Sequence, residues 1–194
     1  MNDIMKCILE RRSIRKYKSK QITEAELNTI LEAGLYAPSA GSRQGPVFIV
    51  TQDKELNEKL GRINKSAFHG KISTANSYIS KDQPSIADDE RIVSGFYGAP
   101  TIVTIFATGN FLYNEGDCSV AAENMMLAAY SLGIGSCMVA RANETFSSDY
   151  GKELLKKWNM NENYKAFYHV LLGYPDSGNP KAKPRKEGRI IRVR

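Results

Sequence analysis

The chain has 194 residues, of which 42% are hydrophobic and 25% are charged, and its formal net charge at pH 7 is +6. These values are ordinary for a globular protein, and they exclude a fibrous or largely disordered chain. The length suits one sizeable core, so we expect a single domain over residues 1–194.

The cysteines and the absence of targeting signals indicate the compartment. The three cysteines are an odd number without a CxxC pair, which is typical of a reduced cytoplasmic protein. Asp3 and Lys6 interrupt what would be the apolar core of a signal peptide. The most apolar long segment, residues 120–140, contains Glu123 and Asn124 and is a poor membrane span. We therefore expect a cytoplasmic protein that does not bind a membrane.

A first helix, predicted from Asp3 as its N-cap to about Glu10, leads into a strongly cationic segment. Residues 11–17 carry four cationic side chains and one serine. Arginine presents paired donors to phosphate oxygens, so this segment could anchor an anionic ligand. Alternatively, Arg11 and Arg12 could only stabilise the negative end of the helix dipole on a solvated face.

The next segments form a predicted helix, loop and strand. Thr23 and Glu26 make a capping box that begins the helix, and Pro38 ends it. Residues 37–46 are rich in small residues and side-chain donors, and they lead into an apolar, β-branched strand at residues 47–51. Such a loop either holds a ligand or merely connects the helix to the strand.

The middle of the chain alternates between clear and unclear patterns. Asp53 begins a third predicted helix. Residues 66–95 then lose all periodicity, and we expect them to form a lid or an excursion with short helices. A second central strand is predicted at residues 101–107.

The helix predicted at residues 120–132, capped by Asp117 or Ser119, has almost no polar face. A helix that is apolar nearly all round is buried in the core or against another subunit. Gly133 ends this helix, and a glycine turn with a short buried segment extends to Ala140.

The C-terminal part contains a helix predicted at residues 145–158 and a third strand at residues 166–175. Residues 176–194 form an arm rich in glycine, proline and lysine. Within the arm, residues 189–194 mix charged and β-branched side chains, which indicates a terminal strand that needs a partner edge.

Missing motifs exclude several functions. The chain contains no GxGxxG, GxxxxGK[ST] or GxSxG sequence. His69 and His169 lack acidic neighbours at ligand spacing, so we expect packed or surface histidines and no metal site. The basic tail at residues 181–194 lacks the aromatic residues and motifs of nucleic-acid binders, so no nucleic acid is expected as a partner. If the protein is an enzyme, a bound cofactor carries the chemistry.

Four short motifs occur in order along the chain. Residues 11–15 have the form RRS-x-R/K, and residues 37–44 have the form APS-x-x-x-x-Q. A glycine turn precedes residues 136–140, and the sequence KPR occupies residues 183–185. Together, at these separations, the motifs resemble those of the nitroreductase family of flavin mononucleotide (FMN) enzymes, over almost the full chain.

This resemblance implies an α+β fold in which helices flank a mostly antiparallel central sheet. It also implies an intertwined homodimer that binds two FMN molecules in clefts between the subunits. The helix at residues 120–132 would be central to the dimer, and the terminal strand would cross to the partner's sheet.

The resemblance further implies which residues bind the cofactor. Those at the phosphate and ribityl end of FMN would be Arg11, Arg12, Ser13, Lys183 and Arg185. Arg15 would lie near the flavin N1–O2 edge, where its positive charge stabilises the reduced anionic ring. The other subunit would supply Pro38, Ser39, Ser42 and Gln44. The backbone near the reactive N5 and O4 atoms would come from Met138, Val139 and Ala140.

The implied mechanism is ping-pong and needs no catalytic side chain. NADH or NADPH passes a hydride to flavin N5 and leaves, and a small acceptor such as a nitroaromatic or a quinone then takes its place. The alternative is a non-catalytic protein that stores or senses flavin on the same scaffold. Ser42 stands where the family often has Asn, and Gly45 and Pro46 stand where it has Pro-Trp. These departures imply a more mobile loop with a smaller stacking surface.

Overall fold

A four-stranded sheet is the centre of the computed structural model, which describes residues 2–69 and 82–193. Its strands are β1 (Val47–Thr51), β2 (Thr101–Thr108), β3 (Gly135–Val139) and β4 (Tyr164–Gly173). They lie in the order β1-β2-β4-β3, and every neighbouring pair is antiparallel. The predicted antiparallel central sheet is confirmed.

Helices cover both faces of this sheet. In the described parts of the chain they are α1 (Asp3–Glu10), α2 (Glu24–Leu35), α3 (Lys54–Ser66), α4 (Asn114–Ser131), α5 (Ala142–Ser147) and α6 (Asp149–Lys157). A single 3-10 turn, Ala40–Ser42, lies between α2 and β1. The α+β class with flanking helices is therefore also confirmed.

Side chains of the central strands alternate between two cores, because successive residues of a strand point to opposite faces. On one face, Val103 and Ile105 pack with residues of α2 and α4. On the other face, Ile102 and Phe106 pack with residues of α3, α5 and α6. Strand β2 is covered on both sides, which explains its almost continuous apolar sequence.

The helix N-termini show how local sequence determines the elements. The capping box of α2 is confirmed, since Thr23 N donates to Glu26 Oε2 at 2.7 Å and Glu26 N donates to Thr23 Oγ1 at 3.3 Å. The predicted Asp53 cap of α3 is also confirmed. The cap of α1 is Asn2 rather than Asp3, because Asn2 Oδ1 accepts the bond from Met5 N.

Two predicted helix boundaries are wrong. Helix α4 begins at Asn114, well before residue 120, and Asp117 and Ser119 lie inside it. Asp117 does not cap the helix because its Oδ1 accepts a hydrogen bond from Ala40 N instead. The helix predicted at residues 145–158 is two helices, α5 and α6, because Ser148 is extended and caps α6 through its hydroxyl.

The predicted lid at residues 66–95 lies partly outside the described residues, which omit residues 70–81. Residues 82–95 form turns and bends, with neither helix nor strand, and they are anchored by buried Gln83 and Ile86. In the arm, residues 176–193 also form neither helix nor strand. The predicted terminal strand therefore does not form within one chain, and the tail leaves Ile190, Ile191 and Val193 exposed.

In residues 2–69 and 82–193, no helix is both long enough and apolar enough to cross a membrane.

Helix α6 approaches α5 so closely that only glycine fits at residue 151. A Cβ atom there would lie 2.5 Å from both Phe146 Cα and Thr145 O, which are backbone atoms with little freedom to move. We expect Gly151→Ala to lower the free energy of unfolding by about 1–3 kcal/mol through overpacking. Urea denaturation measures this change.

Gly116 provides the matched control, because it also lies in a helix but a Cβ there would meet nothing within 4 Å. Alanine has a higher helix propensity than glycine, so Gly116→Ala should raise stability by up to about 1 kcal/mol. Equal destabilisation by both changes would contradict the packing explanation.

Candidate functional site

The cationic segment predicted as an anion anchor lies directly beside the sheet. Ile14 N donates to Ser136 O at 2.9 Å, and Ser13 forms an isolated bridge with Ser136 at the start of β3. Ile14 itself is buried, with 3% of its surface exposed. In an extended segment, the neighbours of a buried residue point the other way. Ser13 and Arg15 are therefore directed away from the contact that Ile14 makes.

A cavity of about 540 Å³, which we call the arginine cavity, lies between α1, the end of α4 and the start of β3. Its lining includes Asp3, Lys6, Cys7, Arg11, Arg12, Tyr130, Gly135, Ser136 and Asn179. In the described parts of the chain, four buried side-chain polar atoms have no hydrogen-bond partner. Three of them, Arg11 Nε, Arg12 Nε and Ser136 Oγ, belong to residues that line this cavity.

These unpaired atoms fit an anionic group. A buried donor without a partner costs about 1–3 kcal/mol, and more when it is charged. Arg11 Nε lies 3.5 Å from Glu123 Oε1, in an ion pair whose side chains are 21% and 44% exposed, and this contact gives Nε no hydrogen bond. Two guanidinium groups and a hydroxyl would all be satisfied by the oxygens of a phosphate. The structure therefore favours the anion anchor over the solvated helix end.

Arg15 is held on the other side of the same segment. Its backbone N donates to Gln83 Oε1 at 2.5 Å, and its Nη1 donates to the carbonyl O of Gln83 at 2.9 Å. The guanidinium carbon lies 5.8 Å from the ring centroid of Tyr97. Burial raises the pKa of the nearby Cys137 thiol, although the positive charge of Arg15 opposes the rise.

The predicted ring-binding residues Met138, Val139 and Ala140 lie at the end of β3. Met138 and Ala140 face outward, whereas Val139 belongs to the core. The carbonyl O of Ala140 accepts a hydrogen bond from Asn64 Nδ2 at 2.8 Å. The next residue, Arg141, has φ of +64°, in the left-handed region that L-residues rarely adopt.

A buried network holds this strained corner in place. Arg141 donates through Nη2 to Asn64 Oδ1 at 3.2 Å and through Nε to Asn64 O at 3.3 Å. Asn64 Nδ2 also donates to Thr145 Oγ1 at 3.1 Å. Strained backbone of this kind persists only where several contacts determine it, and it is common at functional sites.

His169 lies beneath the network as a packed histidine, as expected. Its Nδ1 is 2.9 Å from Thr104 Oγ1 and its Nε2 is 3.4 Å from Thr145 Oγ1. Burial lowers its pKa to about 3, and the positive charge of Arg141 contributes to the shift. His169 is therefore neutral at physiological pH. His69, by contrast, is exposed.

The loop predicted to bind a ligand, residues 37–46, is held by internal hydrogen bonds but lies away from the arginine cavity. Ser39 Oγ accepts from Gln44 N at 2.9 Å, and Asp117 Oδ1 accepts from Ala40 N at 3.0 Å. Ser42 and Gln44 have positive φ values of 53° and 50°. Pro38, Ser39 and Gln44 line a separate cavity of about 180 Å³, so one chain does not bring them to the arginine cavity.

The tail residues are likewise separate from the arginine cavity. Lys183 and Arg185 are exposed and line a shallow depression with Pro184, Lys186 and Arg189. The arm begins beside the arginine cavity, where Asn179 Nδ2 donates to Glu10 O at 2.6 Å. Within one chain, only the base of the arm reaches the site.

Several residues at the site were missed by sequence reasoning. No motif contains Gln83 or Arg141, and Ser136 follows the glycine turn without a pattern that marks its side chain. The sequence does contain an indication that Asn64 is buried, because its spacing from Asn57, Leu60 and Gly61 places it on one helix face with them. A polar residue on such a face indicates a buried hydrogen-bond partner. In residues 2–69 and 82–193, no group of three or more His, Cys, Asp or Glu residues could hold a metal ion.

Comparison with known proteins matches the chain to one family. The model of the Nitroreductase family matches residues 8–174. A protein of Archaeoglobus fulgidus, provisionally named an NADH dehydrogenase/NAD(P)H nitroreductase, is 32% identical over 175 residues, which cover 90% of this chain and 87% of that protein.

Two solved structures are similar over the full length of both chains. A nitroreductase with bound FMN from Bacteroides fragilis is 33% identical, with a TM-score of 0.81 and 100% of each chain covered. A nitroreductase with bound FMN from Desulfitobacterium hafniense is 29% identical, with a TM-score of 0.82 and the same coverage.

The lowered pKa of His169 predicts a specific pH dependence of stability. The unfolded histidine binds a proton below about pH 6.5, whereas the folded one binds it only near pH 3. Stability contributed by the neutral histidine is therefore lost as the pH falls through this window, by up to about 1.4 kcal/mol per pH unit. Urea unfolding between about pH 6 and pH 4 should show a shallower slope for His169→Gln than for the wild type.

His69→Gln is the control, because His69 is exposed and lies outside the buried network. An unchanged slope in His169→Gln would show that the buried ring does not remain neutral in the folded protein.

Proposed function

The chain belongs to the nitroreductase family, and on that basis we propose that it is an FMN-dependent oxidoreductase. It takes a hydride from NADH or NADPH and passes it to a small electron acceptor such as a nitroaromatic or a quinone. The observation that carries this proposal is the cavity in which Arg11 Nε, Arg12 Nε and Ser136 Oγ are buried without hydrogen-bond partners. Similar chains that cover the full length bind FMN, whose phosphate has the charge and the acceptors these atoms require.

In this proposal, residues on both sides of Ile14 divide the work. Arg11, Arg12 and Ser13 hold the phosphate and ribityl end. Arg15 would lie at the N1–O2 edge of the ring, where its charge would favour negative charge on the flavin. Backbone groups of residues 138–140 would face the N5 and O4 atoms. When bound, FMN supplies hydride-transfer chemistry, so no side chain acts as acid, base or nucleophile.

A second copy of the chain completes the site and makes the protein a homodimer. No residue of α1 is buried, and its Ile4, Ile8 and Leu9 are 70%, 47% and 50% exposed. Apolar side chains exposed together on one short helix indicate a partner surface. The partner would bring the loop at residues 38–44, which in one chain lies at a different cavity. Its arm would bring Lys183 and Arg185.

The remaining parts of the proposal concern organisation and turnover. Residues 1–194 act as one FMN-binding domain. The dinucleotide and the acceptor take turns at one place over the ring, which is the ping-pong scheme. The three cysteines are free, which suits a cytoplasmic enzyme.

The proposal predicts that the purified protein is yellow and releases FMN on denaturation. Addition of NADH or NADPH without oxygen should bleach the colour, and a nitroaromatic or a quinone should restore it. A yellow protein that neither dinucleotide bleaches would instead be a flavin-storage or sensor protein. A colourless protein that binds no added FMN would contradict the flavin site itself.

Arg11→Ala tests the phosphate site. Loss of a charge-assisted hydrogen bond costs about 1.5–3 kcal/mol, so the dissociation constant for FMN should rise by about 10- to 100-fold. Fluorescence quenching of FMN during titration of the apoprotein measures this constant. Lys16→Ala is the control, because Lys16 is exposed and belongs to the same cationic segment. Equal affinity of Arg11→Ala and the wild type would make the assignment of Arg11 wrong.

A further inference from the structure

We propose that Gln83 is a positioning residue that aims Arg15 at the flavin while leaving its positive charge intact. This inference rests on the proposed function, in which Arg15 lies at the N1–O2 edge of the ring. Gln83 belongs to none of the recognised motifs, and it is separated from Arg15 by 68 positions in the sequence.

Gln83 contacts both the backbone and the guanidinium of Arg15. Gln83 is fully buried, with 0% of its surface exposed. Its side-chain Oε1 accepts from Arg15 N at 2.5 Å, and its backbone O accepts from Arg15 Nη1 at 2.9 Å. A free arginine side chain populates many rotamers, so a contact at the guanidinium restricts the directions in which it can point. The hydrogen bond at Arg15 N fixes the position of the backbone from which this side chain extends.

A third contact determines the orientation of the Gln83 amide. Gln83 Nε2 donates to Ser177 Oγ at 2.6 Å. If the amide were turned over, its NH₂ group would face the N–H of Arg15, donor against donor. Ser177 is near the start of the arm, and Asp176 N donates to Lys16 O at 3.0 Å beside it. The same residue thus connects the ring end of the site to the base of the arm.

The partners of Arg15 are neutral. The ion pairs among the described residues involve Arg11, Arg62 and Arg91, and none involves Arg15. A carboxylate in place of the Gln83 amide could still accept from Arg15 N, but its negative charge would oppose the positive charge of Arg15. The neutral backbone carbonyl of Gln83 orients the guanidinium and leaves most of its five N–H donors and its full charge available to a ligand.

The consequence is a defined effect on the flavin's midpoint potential. Positive charge near the N1–O2 edge stabilises the reduced, anionic form of the flavin relative to the oxidised form. For a two-electron couple, a tenfold loss of that preference lowers the midpoint potential by about 30 mV. We expect Gln83→Met, which removes the side-chain contacts that hold Gln83 against Arg15 N and Ser177 Oγ, to lower the potential by this tenfold step. Gln83→Glu, which adds a negative charge beside Arg15, should lower it by at least as much.

The experiment is a thermodynamic cycle on the full-length, FMN-loaded protein. The midpoint potential is measured by equilibration with reference dyes for the wild type, Gln83→Met and Gln83→Glu, and for the same changes in an Arg15→Gln background. If Gln83 acts through Arg15, Gln83→Met shifts the potential in the wild-type background and not in the Arg15→Gln background, and Gln83→Glu shifts it more in the wild-type background than in the Arg15→Gln background. An unchanged potential, or equal shifts in both backgrounds, would overturn the inference.

Affinity separates positioning from general damage. The phosphate contacts of Arg11, Arg12 and Ser13 are untouched, so the dissociation constant for FMN should stay within about threefold in both Gln83 variants. If Gln83→Met does not fold, Gln83→Glu decides alone, because it keeps the size and the Ser177 hydroxyl can donate to it. A wild type that binds no FMN would refute the proposed function. A wild type that binds FMN with a potential equal to that of the variants would refute only the role of Gln83.

Discussion

The close contact between Ile14 and the start of β3 determines the layout of the site. A Cβ atom on Gly135 would lie 3.0 Å from Ile14 Cβ, so the extended N-terminal segment is pressed against the strand as tightly as glycine permits. The hydrogen bond from Ile14 N to Ser136 O fixes the register. Because Ile14 is buried, Ser13 and Arg15 are directed away from its contact. The contact therefore separates Arg11 and Arg12, which line the arginine cavity, from Arg15, which contacts Gln83.

Local sequence was sufficient where an element depends on its own residues. The capping box of Thr23 and Glu26, the Asp53 cap and the apolar strands follow from neighbours a few positions apart. It was insufficient where a side chain is used by a distant part of the chain. Asp117 has the chemistry of a helix cap, but it accepts a hydrogen bond from Ala40, 77 positions away, and the helix begins elsewhere.

The candidate site shows the same limit. Residue type and motif identified the arginines, because phosphate recognition needs their donors. Residues that only orient others, such as Asn64 and Gln83, have no motif of their own, since their roles depend on contacts between distant segments. The predicted tail strand does not form within one chain, and in the proposed dimer the edge that it needs would come from the second copy.

The burial of two cysteines has a practical consequence for spectroscopy. Burial raises the pKa of Cys118 to about 12 and also raises that of Cys137, so neither is a reactive thiolate at neutral pH. Cys7 is the partly exposed thiol of the three, and it lines the arginine cavity. A maleimide fluorophore or a nitroxide spin label would therefore attach at one position without cysteine mutagenesis. The native chain thus carries its own attachment point for a reporter of cofactor entry.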